Sequence, residues 1–497
     1  MARFSTDEIR TSNSFKLVAV VAVLIVVYYS SQGFYNAYFG PLSQFPGPKL
    51  RAASRLPAIW ATVSGTDHKV IPALHRKYGP IVRLAPNELS FAGGAQAWED
   101  IHGPKKGALP HKDPIFYPRS INGADSIMTA DDEEHIRQRK IMSHAFSERT
   151  LKEQEPLLKS WAEKMKTKLG QRATTGEQID IVKFYNCTTF DIMADLLFLQ
   201  GLDLLEDGEY SPWMKNLFAG IKSATIVLGI RRYSSWINDR IESYMKSNEQ
   251  ARKAEYEHFR YAAERMDGRW KRTVDRPDPW RTFLSGLTRE EQHITASALM
   301  VAGSETTATA LSGLTYHLLQ TPAAMEKLKH EIRSTLRNFD DMTLGNMARL
   351  KYTHACLQEG LRLYPPVPSG LPRRTPPAGL TICGEYVPGD TIVGCHHMAM
   401  YRNPDLFKNP EKFAPERWLG DPEYAKDHRN ALEPFQTGPR NCLGQNLAWH
   451  EMRLLLATVM LHFDIELESK SQDWMDQKVY ILWEKKPLFC RLAQVKA

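Results

Sequence analysis

The stretch PFQTGPRNCLGQNLAWHEMR, Pro434 to Arg453, carries one of only six cysteines in a chain of 497 residues. A core cysteine needs no frame, yet Cys442 has one: Phe435, Gly438 and Arg440 before it and Gly444 after it. Gly438 permits a bend with positive φ. Arg440 offers an always-charged, bidentate fork for a carboxylate. Cys442 falls just before a segment of helical pattern, where free N–H groups and the helix dipole favour a thiolate. Gly444 lets a large group approach the backbone, and the downstream LLLATVMLHF is apolar enough for a buried helix. Together these features describe a thiolate ligand on a pre-formed loop, with an arginine for a nearby anionic group. Two rival readings remain. A thiol nucleophile would need a partnering histidine, and nothing in the sequence orients His450, eight residues on. The other rival is an inert core cysteine.

The remaining composition narrows the function classes. With 42% hydrophobic and 24% charged residues and no low-complexity tract, the chain is globular. A net charge of +7 is modest for this length. No basic stripe interleaved with aromatics is present, which argues against nucleic acid as a partner. The mild basic excess suits a membrane surface or an acidic protein. Cys187, Cys356, Cys383, Cys395 and Cys490 are widely separated and form no CxxC pair, so neither a disulfide framework nor a zinc site is expected. That usage fits a reducing compartment.

LVAVVAVLIVVYY, Leu17 to Tyr29, is an unbroken apolar run. As a helix it reaches about 20 Å, short of the roughly 27 Å core of an endoplasmic reticulum bilayer. The following SSQGFYNAYF extends it with interfacial aromatics, giving an expected anchor over 17–36. A cleaved signal peptide would want an A-x-A-like site, which is not evident; a buried core helix is the other alternative. Flanking positive charges tie at three each, so orientation rests on cysteine usage, which favours a cytosolic body. FPGPK (Phe45–Lys49) makes a stiff, non-helical stop. The expected organisation is a tail (1–16), a transmembrane anchor (17–36), a Pro/Gly-rich hinge (37–55) and one large α-rich domain (56–497). The fold class is mainly α with small β-sheets, the strand-like pieces being Ile81–Ala92, Leu380–Val387 and Phe463–Glu468.

One long helix is expected from Thr288 to Pro322. It opens on a capping box, Thr288 with Glu291, and runs about 45 Å. Its centre, Ala302-Gly303-Ser304-Glu305-Thr306-Thr307, is unusual: glycine costs about 1 kcal/mol there, and the hydroxyls compete with the backbone ladder. The bland account is a helix crossing at Gly303 with Glu305 facing water. Glu359 and Arg362 in CLQEGLRLYPP share a helical face, and FAPERW holds a second pair, Glu416 and Arg417. Taken singly, each reads as a surface ion pair.

At these residues the chain resembles the cytochrome P450 family of haem-thiolate monooxygenases, across residues 45–497. The resemblance implies the P450 fold, with 56–497 as the catalytic domain. Phe435, Gly438, Arg440, Cys442 and Gly444 match the family's cysteine loop, which implies Cys442 as the axial ligand of haem b and Arg440 as the partner of a haem propionate. Ala302, Gly303, Glu305 and Thr306 match the oxygen-binding groove. There Gly303 would leave room for O2, and Glu305 and Thr306 would be the catalytic relay that delivers protons. Glu359 and Arg362 match the family's Glu-x-x-Arg motif, with Arg417 completing a structural triad. Where many members carry tryptophan near a propionate, HIRQR places His135 and Arg139, both able to donate to a carboxylate. Arg373 in GLPRR matches a further propionate donor, with Arg374 beside it.

The intact acid–threonine pair implies a monooxygenase that uses O2 and NADPH-derived electrons. A peroxide-driven peroxygenase or isomerase and a haem-binding protein without turnover are the alternatives. The anchor is similar to that of the microsomal type, which implies an endoplasmic reticulum location and an NADPH–cytochrome reductase as partner. Lys140, Lys327, Lys329, Arg333 and Arg453 are candidates for its docking face. YGPIVRLAPNELSF, HIRQRKIMSHAFSE and FDIMADLLF resemble fungal secondary-metabolism members, in particular the isotrichodermin C-15 hydroxylase-like group. That implies a small lipophilic substrate, terpenoid or polyketide-derived. By family position the pocket should draw on 114–128, 213–230, 298–302, 367–371 and 479–483.

Overall fold

The computed structural model describes residues 6–104, 110–118, 120 and 122–495. Its organising element is the helix Arg289–Leu319, 31 residues long. The capping box forms as expected: the Thr288 hydroxyl accepts the Glu291 N–H at 3.2 Å, and the Glu291 carboxylate accepts the Thr288 N–H at 2.8 Å. From Ser304 onward the helix is buried on nearly every side, as a helix through the middle of a large domain must be. The helices Ile181–Phe198, Glu249–Arg269, Lys351–Leu363 and Gln445–His462 pack around it.

Two glycines allow the closest approaches to the partner helix and its exit. A Cβ on Gly313 would lie 2.2 Å from the Tyr364 ring, and one on Gly360 would lie 3.1 Å from Leu314. Glycine's loss of backbone entropy in a helix is accepted here because nothing larger fits.

The small sheets sit at the periphery. Ile81–Ala85 and Glu88–Phe91 form a hairpin rather than one continuous strand, because Pro86 and Asn87 turn the chain between them. Glu88–Phe91 then pairs in parallel with Ile392–Cys395, and Arg373–Arg374 and His111–Lys112 complete five strands. Leu380–Val387 is likewise a hairpin, turning at Cys383 and Gly384, both with positive φ. Phe463–Leu467 forms as expected and pairs with the terminal strand Phe489–Gln494. A large hydrophobic core runs through the helices and a second lies under the five-stranded sheet.

The apolar N-terminal run belongs to a helix from Thr6 to Tyr38, and its side chains from Leu17 to Tyr29 are exposed. The apolar part, Lys16–Tyr38, is 23 residues, or about 35 Å, longer than the 17–36 expectation and enough to cross a bilayer. The segment expected to be a hinge is packed instead. Leu42 and Phe45 join the second core, Lys49–Ala53 is helical, and the Arg83 guanidinium donates to the Asn36 carbonyl at 2.9 Å.

Gly313→Ala should lower stability by about 1–3 kcal/mol through overpacking against Tyr364, read as a lower thermal unfolding midpoint. Gly345→Ala, whose Cβ would meet nothing within 4 Å, should be neutral or slightly stabilising in the same measurement.

Candidate active site

An interior cavity of about 680 Å³ separates the central helix from the Cys442 loop. Ala302, Gly303 and Thr306 line it from the helix; Phe435, Arg440, Cys442 and Gly444 line it from the loop. The loop is built as its sequence suggests. Gly438 has φ of 78°, and any Cβ there would lie 1.9 Å from the His102 carbonyl oxygen. The Cys442 N–H donates to the Phe435 carbonyl at 2.8 Å, which closes the loop under the sulfur. Gly444 caps the helix Gln445–His462, and a Cβ there would meet only Phe146, at 3.9 Å. The Cys442 side chain is open toward the cavity while protein packs densely around it. That burial pushes the thiol up from its ordinary value; the Gly444 N–H and the Arg139 charge pull the other way. A bound cation would reverse the balance and hold the sulfur as thiolate.

Basic side chains crowd one part of this wall. Lys112, His135, Arg373 and Arg440 all line the cavity. Burial, with the charges of Arg440 and Arg373 adding to it, pulls Lys112 down to about 6. Burial, Arg440 and Lys112 pull His135 down to about 4. The one carboxylate that Arg440 pairs with, Asp132 at 2.7 Å, is mostly exposed. Arg440 Nη1 and Arg373 Nε are buried without a hydrogen-bond partner. Such a cluster calls for an anion, and two carboxylates on one flat group would satisfy it. Lys112 was not foreseen from sequence: a single lysine in HKDP carries no spacing signal. Arg139 departs from expectation. Its guanidinium donates to the Asn441 carbonyl at 2.8 Å and to the Asn441 side chain, so it braces the cysteine loop. Arg374 pairs with Asp113 at 3.1 Å, which leaves Arg373 as the residue facing the cavity.

A Cβ on Gly303 would lie 2.6 Å from the Met193 sulfur, so the glycine, besides lining the cavity, sits at a crossing with Ile181–Phe198, as the bland account had it. Glu305 neither faces water nor lines the cavity. It is 2% exposed, and its Oε1 pairs with Lys485 at 2.6 Å. Lys485 also donates to Thr309 at 2.8 Å and to Asn186 at 3.1 Å, while Glu305 Oε2 has no hydrogen-bond partner. Lys485 lies 180 residues from Glu305 in an unremarkable loop, and no local pattern marks it. Thr306, by contrast, does face the cavity, its hydroxyl donating to the Ala302 carbonyl at 2.7 Å.

Glu359, Arg362 and Arg417 come together fully buried. Arg362 grips Glu359 bidentately at 2.8 and 2.9 Å, and Arg417 approaches it at 3.4 Å. The Ala414 N–H and the Trp418 indole N–H also donate to the Glu359 carboxylate, at 3.0 and 2.9 Å. Despite burial, the two arginines hold the Glu359 carboxyl below its usual range. Asp427, unforeseen, takes the other face of Arg417. Removing one member would leave buried charge uncompensated, a cost of about 3–5 kcal/mol. The surface ion-pair reading of Glu359 and Arg362 is therefore excluded.

Most of the cavity's other lining is apolar, from Phe116, Ile127, Leu299, Val367, Leu371 and Ile481 among others. Residues 114–128, 298–302, 367–371 and 479–483 contribute as expected. No described residue of 213–230 lines it; His258 and Phe259 of the helix Glu249–Arg269 do.

The comparisons with known proteins agree with one another. The family model described as Cytochrome P450 matches residues 46–491. The chain is 46% identical over 475 residues to cytochrome P450 monooxygenase efuB of Hormonema carpetanum, covering 92% of each protein. It is 40% identical over 479 residues to cytochrome P450 monooxygenase astA of Talaromyces wortmannii, covering 95% of this chain and 96% of that one. It is 38% identical over 470 residues to the averantin hydroxylase of Dothistroma septosporum, covering 92% of this chain and 88% of that one.

Lys485→Met should strand the Glu305 carboxylate in the interior and cost about 3–5 kcal/mol. The double variant with Glu305→Gln should recover a large part of that loss in a thermodynamic cycle. Additive losses would mean that the two side chains do not interact.

Proposed function

This chain belongs to the cytochrome P450 family, and we propose that it inserts one oxygen atom from O2 into a small lipophilic secondary metabolite at the cavity between Thr306 and Cys442. The family's cofactor is haem b, and its monooxygenase activity uses O2 and NADPH-derived electrons. The residues present fit that group. Haem b is flat and largely apolar and bears two carboxylates; the cavity offers a sulfur, apolar walls, four basic side chains able to donate to a carboxylate and two orphaned donors.

In this reading the Cys442 sulfur would hold the haem iron, which makes Cys442 the metal-binding residue. Arg440, Arg373, His135 and Lys112 hold the carboxylates. Phe435 shields the sulfur from water, and Gly438 and Gly444 shape the loop around it. Arg139, through Asn441, fixes the loop's far side, and Glu359, Arg362 and Arg417 anchor the chain that leads into it. When bound, haem b supplies activation of O2 with two external electrons, the thiolate favouring O–O cleavage.

The proton chemistry falls to the central helix. Because the Thr306 hydroxyl donates to Ala302, its oxygen remains an acceptor on the cavity side, able to take a proton and pass it on. Glu305 would relay protons to Thr306, and that exchange requires it to leave Lys485. The apolar walls exclude bulk water and select lipophilic substrates.

The observation that carries this reading is Cys442, framed by Phe435, Gly438 and Arg440, opening onto a large cavity shared with Thr306. An endoplasmic reticulum location, with residues 17–36 within the spanning helix and the catalytic domain cytosolic, is supported by the exposed apolar helix Lys16–Tyr38. An NADPH–cytochrome reductase is the corresponding electron donor. For its docking face Lys140 is the freest of the five candidates. Lys327 pairs with Glu416, Lys329 and Arg333 pair with Asp464, and Arg453 is half-buried.

Thr306→Ala should uncouple the reaction. With a probe substrate that gives a type I spectral shift, NADPH oxidation should continue while product per NADPH falls several-fold and hydrogen peroxide rises. Unchanged product per NADPH would contradict the role given to Thr306.

A further inference from the structure

Beside the large cavity lies a second of about 90 Å³, and Phe116 and Ile481 line both. It is bounded by the segment after the N-terminal helix, the strand Glu88–Phe91 and the helix Pro212–Arg231. Thr225, Leu228 and Gly229, from the region expected to line the main pocket, line this one instead. Its chemistry is different. Three arginines, Arg51, Arg55 and Arg232, face it together with Glu88 and Asp67.

The charges do not close on themselves. Glu88 is held from two sides, by Arg55 at 2.5 Å and by Arg232 at 3.3 Å. Arg232 reaches Asp113 at 3.5 Å, and Asp113 also holds Arg374 at 3.1 Å. Arg51 stands outside this chain. It is 6% exposed, forms no ion pair among the described residues, and donates only to the Leu84 and Pro57 carbonyls, each at 3.3 Å. The nearby Asp67 accepts from the Thr62 hydroxyl at 2.7 Å, and burial pushes its carboxyl up to about 6, with the Arg51 charge pulling the other way. Two carbonyl contacts at 3.3 Å leave the buried Arg51 guanidinium without a carboxylate ion-pair partner among the described residues.

We propose that this small cavity is a subsite for the carboxylate end of an elongated substrate whose apolar body lies in the large cavity. Its volume admits a carboxylate and a water or two but no ring system, and the planar fork of Arg51 matches two carboxylate oxygens. Phe116 and Ile481 form the boundary across which the chain of the substrate passes. The subsite rests on the haem–thiolate reading, since it places the substrate's other end beside Cys442 and Thr306. It narrows that substrate from any lipophilic compound to an amphiphilic acid.

The test uses purified, haem-loaded, full-length protein and spectral titration. The probes are ω-(imidazol-1-yl)alkanoic acids of increasing chain length, each with its matched 1-alkylimidazole. The imidazole nitrogen reports coordination by the Soret shift, and the chain length sets where the carboxylate falls. At one chain length the acid should bind about tenfold tighter than its neutral match, about 1.4 kcal/mol. In Arg51→Met the ratio of the two affinities should fall to about one, and Arg51→Gln serves if that variant does not take up haem. No preference for the acid at any length, or a preference that survives loss of Arg51, overturns the subsite alone. If 1-methylimidazole itself gives no shift, the haem–thiolate reading fails and the subsite fails with it.

Discussion

A cavity of about 680 Å³ has to be held open inside a close-packed body, with one sulfur atom facing into it. Protein interiors close such voids wherever they can, because lining atoms lose dispersion partners on the empty side. The walls here are therefore elements that cannot relax inward. One is the central helix, wedged at Gly313 against Tyr364, where no Cβ fits, and close to Met193 at Gly303. The other is the cysteine loop, closed by the Cys442-to-Phe435 hydrogen bond and seated by Gly438 against the His102 carbonyl. Behind the loop, Glu359 binds two arginines in full burial, and those arginines hold the carbonyls of Tyr401, Pro410, Lys412 and Lys408. A charge network of that kind is costly to break, so the chain leading to the loop has one arrangement.

The polar groups around the cavity divide by position. Lys112, His135, Arg373 and Arg440 share one wall, where burial first and neighbouring positive charge second pull Lys112 and His135 below their usual ranges, the setting proposed above for carboxylates. Glu305 and Lys485 form a sealed ion pair behind the central helix, one residue along from the cavity-facing Thr306. Arg51, Arg55 and Arg232 form a third charged region beyond Phe116. The rest of the wall is apolar. Charge is thus confined to separate regions, and an apolar ligand between them meets few groups that would need desolvation.

Much of the fold and site was legible where function is written locally. The cysteine loop reads directly because glycine, arginine and cysteine must stand at fixed offsets along one loop. The central helix reads from its capping box and its length, and Glu359 with Arg362 from their spacing on one helix face. What escaped was non-local. Lys485 meets Glu305 through a chain reversal near the C-terminus. Lys112 joins the anion site from a two-residue strand, and Asp427 joins Arg417 from a loop. None of these has a periodicity to betray it. Gly303 answers to both readings of its motif: it lines the cavity, and its missing side chain faces Met193 on another helix. The hinge was misread because Pro and Gly mark a turn equally well whether the turn is free or, as at Gly47 under the Arg83 carbonyl, packed.

The central claim is that Cys442 is held as a thiolate at this cavity, and the reduced carbon-monoxide difference spectrum of the purified full-length protein tests it most directly. The account predicts a Soret band at about 450 nm for the native chain, shifted to about 420 nm in Cys442→His, since only a thiolate ligand gives the red-shifted band. A native, well-folded protein with its band at about 420 nm, or a Cys442→His variant that kept the band at about 450 nm, would contradict it.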